Sequence, residues 1–297
     1  MPVSHQNSTL TILRTVEEVG AFRRYLRLKG ARLALVPTMG FLHRGHTSLM
    51  EFATAQADVV MTSIFVNPTQ FGPGEDFERY PRDTEGDLLK AAEAGCKAVF
   101  LPDVATMYGH AAETLVEVGS LAEGLCGASR PTHFSGVATV VLKLLNITQC
   151  DVAVFGEKDY QQLAVIRQMV TDLNVPVHIL GHPIVREPDG LAMSSRNAYL
   201  TSEQRKEALA LSDALLLARQ AWQAGERQTS IISRLMTDRI QEAPSAQIDY
   251  VRVVDSLSLK PVAEGCGDSI LCALAVRFGQ TRLIDNTVLH SASIEST

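Results

Sequence analysis

Two histidines three positions apart, His43 and His46, are the residues of this sequence best suited to chemistry on phosphate. They lie in VPTMGFLHRGH (36–46), between an apolar run that predicts a strand and a segment with helical periodicity. A helix start offers an anion unpaired N–H groups and the positive end of the helix dipole. Imidazoles there can donate hydrogen bonds to phosphate oxygens and stabilise charge moving onto a leaving pyrophosphate. Since this segment lacks both common glycine-rich fingerprints, we predict phosphate chemistry without a phosphate-binding loop.

A second polar pair, Asn67 and Gln70, follows another apolar run in SIFVNPTQFGPGEDFERYPR (63–82). Ligands of open α/β sheets bind at the carboxyl ends of strands, where both residues are predicted to lie. Turn formation is the alternative, because Asn-Pro and Gly-Pro-Gly need no ligand to explain them. That alternative accounts well for Asn67 and less well for Gln70.

A lysine, Lys158, begins a predicted helix in VFGEKDYQQL (154–163), where a cation opposes the helix dipole. A bound polyphosphate would turn this unfavourable placement into a favourable one. Gln162 lies one turn later on the same helix face. We therefore predict a second ligand-binding segment at a strand end.

A turn sequence, PDG (188–190), precedes Met193, Ser194, Ser195 and Arg196. Two hydroxyls and a guanidinium suit a triphosphate, although Ser-Ser-Arg also occurs as an ordinary helix cap. RPTHF (130–134) adds another arginine and histidine before an apolar helix, and a loop anchored on that helix is a serious rival to a ligand-binding role.

Composition narrows the class of protein. The 297 residues are 46% hydrophobic and 20% charged, which indicates a globular chain and excludes disordered or fibrous classes. A net charge of −6 disfavours a nucleic-acid partner, and the chain shows no apolar run of about 20 residues. The first residues show no cationic region followed by an apolar core, so we expect no membrane partner and a cytoplasmic location. Five scattered cysteines predict buried, reduced thiols rather than disulfides or zinc.

Short apolar runs alternate with helical periodicity up to about residue 180, as in βαβ units around a parallel sheet. The predicted strands are 33–36, 59–66, 98–101, 152–155 and 177–180, and the predicted helices are 84–94, 136–147 and 159–173. After residue 183 we predict a hairpin at the PDG turn, one long helix over 202–222, a second over 231–241, and antiparallel strands in the tail. The sequence thus predicts an α/β domain over 1–183 and a smaller α+β domain over 184–297.

Taken in order, PTMGFLHRGH, FVNPTQF, GVATVVLKLLNI, FGEKDYQQL, REPDGLAMSSRN and TRLIDN resemble the pantoate–β-alanine ligase family across nearly the whole chain. H-x-G-H alone belongs to a wider superfamily of nucleotidyltransferases and class I aminoacyl-tRNA synthetases, but the set is specific. The resemblance implies a Rossmann-like catalytic domain, a C-terminal lid domain and a homodimer. It also implies that pantoate attacks MgATP to give pantoyl adenylate, which β-alanine converts to pantothenate and AMP.

The resemblance further implies roles for individual residues. His46 would be the proton donor, and the other catalytic residues would be His43, Lys158, Ser194 and Arg196. Gln70 would contact pantoate and β-alanine, and Gln162 pantoate. The ATP-binding residues would be Met39, Gly40, Phe41, Leu42, His43, Arg44, Gly45, His46, Gly156, Glu157, Lys158, Asp159, Val185, Met193, Ser194, Ser195 and Arg196. No residue is assigned to Mg²⁺. Ala128 and Thr132 depart from the lysine and glycine of many relatives, which leaves the contacts of the 130–134 loop open.

Two other functions fit parts of this pattern. A nucleotidylyltransferase acting on a phosphorylated acceptor would need a cationic acceptor site, whereas the strand ends carry Asn67 and Gln70. A non-catalytic nucleotide sensor on the same fold would be favoured by loss of a catalytic residue, and none is missing. A tRNA-charging enzyme would need an anticodon-binding domain and a basic surface, neither of which the sequence shows.

Overall fold

The chain folds into two compact units, seen here in a computed structural model that describes residues 10–109, 112–264 and 269–291. The first unit contains the described residues up to Val118, together with Thr132–Glu157 and Val165–Pro183. The second contains Gly119–Pro131, Lys158–Ala164 and the described residues from Ile184 onward. Two internal segments therefore belong with the C-terminal part of the chain.

The first unit is built on a six-stranded parallel sheet with the strand order β1-β4-β3-β2-β5-β6. Its strands are β1 Thr11–Leu13, β2 Leu33–Thr38, β3 Val59–Ile64, β4 Ala98–Phe100, β5 Val152–Gly156 and β6 His178–His182. Leu33 and Leu35 on one face of β2, and Ala34 and Val36 on the other, are all 0% exposed. Such burial on both faces is why parallel strands read as continuous apolar runs.

The strand order reverses beside β2, because the chain passes from β2 outward through β3 and later returns to pair β5 with the opposite edge of β2. In open α/β sheets this switch point, at the carboxyl ends of the strands, is where ligands bind. The segment after Thr38 and the segment after Gly156 both leave the sheet there. The predicted parallel sheet is confirmed, with the predicted run 59–66 ending at Ile64 rather than residue 66.

Helices α1 to α7 lie between residues 16 and 172, and α5 and the start of α7 belong to the second unit. They are α1 Val16–Leu28, α2 Arg44–Thr54, α3 Thr84–Glu93, α4 Val104–Tyr108, α5 Cys126–Ser129, α6 His133–Thr148 and α7 Tyr160–Asp172. The helices predicted over 84–94, 136–147 and 159–173 are confirmed, and α6 is buried over most of its length as predicted. Among the described residues, none of the helices combines the length and the apolar composition needed to cross a bilayer.

The second unit contains an antiparallel sheet in the order β7-β8-β9, packed on two helices. Its elements are α8 Ser202–Glu207, α9 Ala210–Gln223, α10 Thr229–Gln241, β7 Ala246–Asp255, β8 Ser269–Phe278 and β9 Thr281–His290. The predicted antiparallel strands are confirmed. Strand β8 does not alternate in burial, however, because it is the central strand and is covered on both faces from Ile270 to Val276.

The single helix predicted over 202–222 is wrong, because the structure breaks it into α8 and α9. Leu209 N–H bonds to Lys206 O and Leu211 N–H bonds to Ala208 O, so the chain tightens to i,i+3 hydrogen bonds at the break. Ala208 is 0% exposed and joins the core of this unit together with residues of α9. Core packing therefore outweighs the continuous helical periodicity of the sequence.

Four of the five cysteines lie among the described residues, and all four are buried free thiols, as predicted. They are Cys96, Cys126, Cys150 and Cys272. Cys266 lies outside the described residues.

Candidate active site

The loop from β2 to α2 leads into the two histidines, with His43 at its end and His46 in the first turn of α2. Two consecutive residues of the loop have positive φ, Gly40 at 82° and Phe41 at 49°. Thr38 ties the loop to the sheet, since its hydroxyl donates to Ser63 O at 2.8 Å and accepts from Gly40 N–H at 3.2 Å. A glycine suits this position because a Cβ on residue 40 would lie 2.9 Å from a carboxylate oxygen of Asp87.

Asp87 holds the same loop from the first turns of α3. Its carboxylate accepts the N–H of Phe41 at 2.8 Å and the N–H of Leu42 at 2.6 Å, and the residue is 1% exposed. Burial raises the pKa of this carboxyl, while the two backbone hydrogen bonds oppose the rise. Sequence reasoning missed Asp87, which lies 45 positions from Leu42.

The two imidazoles are oriented by backbone N–H groups at the start of α2. His43 is the N-cap residue, and its Nδ1 accepts from Gly45 N–H at 3.1 Å. The Nδ1 of His46 accepts from His43 N–H at 3.3 Å, and the ring centroids lie 4.0 Å apart. Because Nδ1 is the acceptor in each ring, the proton of each neutral imidazole lies on Nε2. Each ring can therefore offer a substrate an Nε2–H donor.

The two amide side chains after β3, those of Asn67 and Gln70, are hydrogen-bonded to each other, and Asn67 has a structural role. Asn67 is 1% exposed and caps the 3₁₀ turn Pro68–Gln70, with its oxygen accepting from Tyr108 O–H at 2.6 Å. Its Nδ2 donates to Gln70 Oε1 at 3.1 Å, and Gln70 Nε2 lies 3.2 Å from Met39 Sδ. The turn explanation thus describes Asn67, which in addition orients the Gln70 side chain.

Helix α6 packs directly on this turn through Gly136. A Cβ on residue 136 would lie 2.3 Å from Thr69 O and 2.7 Å from Gln70 N. The carbonyl of Gly136 accepts from Asn67 Nδ2 at 3.3 Å, and His133 Nδ1 lies 2.9 Å from Gln70 O. His133 therefore links the start of α6 to the turn.

In the second unit, Lys158 and Asp159 lie in the 3₁₀ turn Glu157–Asp159 immediately before α7. Lys158 Nζ is 3.9 Å from Asp159 Oδ2, and its side chain is 19% exposed. Asn286 of β9 donates to Lys158 O at 2.9 Å and fixes the backbone there. Gln162 lies half-buried on the first turn of α7.

Gln161, which sequence reasoning also missed, organises the segment Gly119–Pro131. Its side-chain amide donates to Leu121 O at 2.9 Å and Gly124 O at 2.7 Å, and its oxygen accepts from Cys126 N–H at 2.9 Å. The predicted site residue Gln162 is thus adjacent to a buried structural glutamine.

The serine-arginine segment follows a hairpin, as predicted. Met193 N–H bonds to Val185 O at 3.0 Å, and Gly190 at the turn has a φ of +100°. Ser194 caps the 3₁₀ helix Ser195–Tyr199 by accepting from Arg196 N–H at 3.2 Å, so the helix-cap reading holds for its hydroxyl.

A polar network that the sequence did not reveal supports this segment. Asn197 Nδ2 donates to Glu187 Oε1 at 2.8 Å, and Arg205 Nη2 donates to Glu187 Oε2 at 2.7 Å. The 3₁₀ helix that carries Arg196 is therefore hydrogen-bonded to the hairpin within the second unit.

Of the predicted site residues, the first unit holds the Met39–His46 loop beside Gln70, and the end of β5 supplies Gly156 and Glu157. Within that loop, the Arg44 guanidinium pairs with Glu51 on the surface of α2, where both side chains are about half exposed. The second unit holds Lys158, Asp159 and Gln162 on one segment, and Val185 and Met193 to Arg196 on the hairpin and the 3₁₀ helix.

Comparison with known proteins identifies the family. The family model described as pantoate-beta-alanine ligase matches residues 11–288. The pantothenate synthetase of Moorella thermoacetica is 54% identical over 281 residues, covering 95% of this chain and 99% of the relative. That of Pelobacter propionicus is 51% identical over 280 residues, covering 94% and 98%.

Solved structures agree with this comparison. Pantothenate synthetase from Thermus thermophilus matches with a TM-score of 0.88 at 44% identity, covering 94% of this chain and 99% of that chain. The ligase from Francisella tularensis, complexed with beta-gamma ATP and beta-alanine, matches with a TM-score of 0.78 at 33% identity, covering 94% and 98%. The resemblance of the motifs is thereby confirmed, and the chain belongs to the pantoate-beta-alanine ligase family.

Proposed function

We propose that this ATP-dependent ligase of pantoate and β-alanine works in two steps at the residues described above. In the first, a carboxylate oxygen of pantoate attacks the α-phosphorus of ATP, and the bond to the bridging oxygen breaks. Pyrophosphate leaves and pantoyl adenylate remains. In the second, the amine of β-alanine attacks the acyl carbon, the bond to AMP breaks with its electron pair on AMP, and the amine loses a proton.

The orientation of the histidine pair is the observation that carries this proposal. Both Nδ1 atoms accept backbone N–H groups, so both rings offer an Nε2–H donor at the start of α2. Fixed donors stabilise charge that develops on phosphate oxygens without reorganising during the reaction. We assign His46 as the proton donor in the sense of a hydrogen bond from its Nε2–H, with His43 beside it on the phosphates.

We assign Gln70 to pantoate and β-alanine, and Gln162 to pantoate. A neutral amide orients a carboxylate without the strong bidentate ion pair of an arginine, which would lower its nucleophilicity. Asn67 and Met39 hold the Gln70 amide on both sides, which supports an orienting role. Neutral side chains therefore suit a substrate whose carboxylate must remain nucleophilic.

We assign Lys158, Ser194 and Arg196 to the phosphates of the same nucleotide on chemical grounds. An anionic carboxylate attacking an anionic triphosphate meets charge repulsion, which an ammonium and a guanidinium reduce. The remaining residues assigned to ATP are those that the family resemblance implies: Met39 to Gly45, Gly156, Glu157, Asp159, Val185, Met193 and Ser195.

We propose that Mg²⁺ arrives with ATP. Within the described ranges, no group of three or more His, Cys, Asp and Glu side chains is arranged to hold a metal ion. Mg²⁺ in nucleotide sites keeps several waters and is held largely by phosphate oxygens, so a dedicated protein cluster is not required. No residue of this chain is assigned to the ion.

A homodimer and a cytoplasmic location complete the proposal. The family resemblance supports the dimer, and the buried free thiols fit a reducing compartment. We also keep residues 1–183 as the ATP- and pantoate-binding catalytic domain and 184–297 as a lid domain. Light scattering on the purified chain tests the oligomeric state, and cell fractionation tests the location.

The decisive experiment supplies ATP, Mg²⁺, D-pantoate and β-alanine and omits each in turn. Pantothenate and AMP should form only in the complete mixture, and pantoate alone should support exchange between ATP and pyrophosphate. Turnover of a phosphorylated acceptor to a stable nucleotide adduct would favour a nucleotidylyltransferase. ATP binding without any turnover would favour a nucleotide sensor.

A further inference from the structure

We propose that Asp87 is a positioning residue whose buried carboxylate fixes the loop that sets the tautomer of His43 and His46. This inference rests on the proposed role of the two histidines as Nε2–H donors. It concerns the supporting contact rather than substrate binding, because Asp87 acts through the loop backbone.

Both oxygens of the Asp87 carboxylate are used on consecutive amides of the loop. Oδ2 accepts Phe41 N–H at 2.8 Å, and Oδ1 accepts Leu42 N–H at 2.6 Å. At 1% exposure there is little water to replace these bonds if the carboxylate is lost. An asparagine supplies one acceptor and turns an NH₂ group toward the other N–H, so it cannot reproduce the pair.

The loop needs this support because its conformation is strained. Phe41 has a φ of +49°, which costs an L residue free energy and persists only where surrounding contacts enforce it. Gly40, with a φ of +82°, brings the backbone so close that a Cβ there would lie 2.9 Å from Asp87 Oδ2. The two amides that Asp87 accepts belong to the strained residue and the residue after it.

The loop leads directly to the histidines. Leu42 is followed by His43, whose own N–H donates to His46 Nδ1 at 3.3 Å. If the peptide units at residues 41 and 42 rotate, the His43 N–H turns with them and this bond weakens. His46 then loses the donor that reserves Nδ1 as an acceptor, and its proton can occupy either nitrogen. The same rotation displaces the His43 cap at Gly45 N–H.

The test measures tautomers directly, in the full chain without nucleotide or metal. ¹⁵N NMR of histidine-labelled protein distinguishes protonated from unprotonated ring nitrogens, and His43→Gln and His46→Gln variants assign the two signals. The wild type should show Nε2–H in both rings. Asp87→Asn should shift at least His46 to a mixture of tautomers and lower kcat for pantoate-dependent exchange by roughly ten- to a hundredfold, with KM for ATP within about twofold.

Asp83→Asn is the matched control. Asp83 caps the same helix through Gly86 N–H at 3.1 Å, so the substitution removes an equal charge nearby without touching the loop. It should leave the tautomers and kcat unchanged. If Asp87→Asn does not fold, as shown by the lack of a cooperative unfolding transition, Asp87→Glu takes its place. This variant keeps the charge and both acceptor oxygens and adds one methylene. We expect the same change of tautomer.

The outcomes separate the two proposals. Unchanged tautomers in the Asp87 variants overturn the positioning role, whatever happens to kcat. Mixed tautomers with full kcat support the positioning role and overturn the proposed role of the histidines as donors. If the Asp83 and Asp87 variants change the tautomers and kcat equally, the loss of a negative charge on the helix explains the result. That outcome also overturns the inference.

Discussion

Replacing Gly136 by alanine should destabilise the protein, although alanine is the better helix former. Gly136 lies in α6, where its missing side chain lets the helix contact the turn Pro68–Gln70. A Cβ at this position would lie 2.3 Å from Thr69 O and 2.6 Å from Thr69 C, which are backbone atoms that cannot rotate away. The helix and the turn must therefore separate.

The change in the free energy of unfolding is the sum of opposing contributions. Helix propensity favours alanine by about 1 kcal/mol. Ordinary contact begins near 3.4 Å, so a 2.3 Å approach demands a separation of roughly 1 Å, and overpacking of this kind costs about 1–3 kcal/mol. Loss of the Asn67 hydrogen bond to Gly136 O costs about 1 kcal/mol more. We expect the free energy of unfolding to fall by roughly 1–3 kcal/mol.

Urea denaturation measures this change, and Gly20→Ala is its matched control. Gly20 lies in α1, where an added Cβ would meet only the flexible Arg24 Nη1, at 3.5 Å. The same chemical change should there raise the free energy of unfolding by about 0.5–1 kcal/mol.

Steady-state kinetics provide the second readout. Because Gly136→Ala displaces the turn that holds Gln70, KM for pantoate should rise about tenfold, whereas Gly20→Ala should leave it unchanged. A Gly136→Ala protein as stable as the wild type and with an unchanged KM would refute the packing argument.

Three further predictions address the site and the core. Lys158→Ala should lower kcat by about 10² to 10³ if the ammonium stabilises the transition state, and an effect confined to KM for ATP would contradict this. Gln70→Arg should slow adenylate formation, measured by single-turnover release of pyrophosphate, even if pantoate still binds; a variant at full speed would disprove the neutral-amide hypothesis. Burial raises the pKa of the Cys96 and Cys272 thiols to about 12 and that of Cys150 to about 11. None of the three should therefore react with a thiol reagent at about pH 8 until urea unfolds the chain. Mass spectrometry of the labelled peptides checks each cysteine.

The sequence by itself determined the elements whose signals are local. Continuous apolar runs predicted the buried strands of the parallel sheet, and helical periodicity predicted α3, α6 and α7. At the start of α8, Thr201 forms a capping box with Gln204, a pattern that can be read from the sequence. A capping box at Thr15 and Glu18 starts α1, and although that pattern is legible in the sequence, the helix was not predicted.

The sequence also determined the family, because several motifs keep their order along the chain. It did not determine which polar residues of a motif are occupied by structural hydrogen bonds. Asn67 and Gln161 look like site residues by type and position, yet both are buried and occupied by bonds to their own unit. Helical periodicity cannot make this distinction. It predicts which residues share a face of a helix, but not which parts of the chain pack on that face.

Only the tertiary structure decided the supporting contacts. Asp87 reaches Leu42 across 45 positions, Gly136 meets Thr69 across 67, and Gln161 meets Cys126 across 35. Each contact depends on the strand order β1-β4-β3-β2-β5-β6 or on which segments join the second unit. These arrangements depend on the free energy of the whole packed chain. Residue type and spacing, in contrast, report only on structure within a few helical turns of a residue. The histidines could therefore be found from the sequence, but the proton-bearing nitrogen of each ring could not.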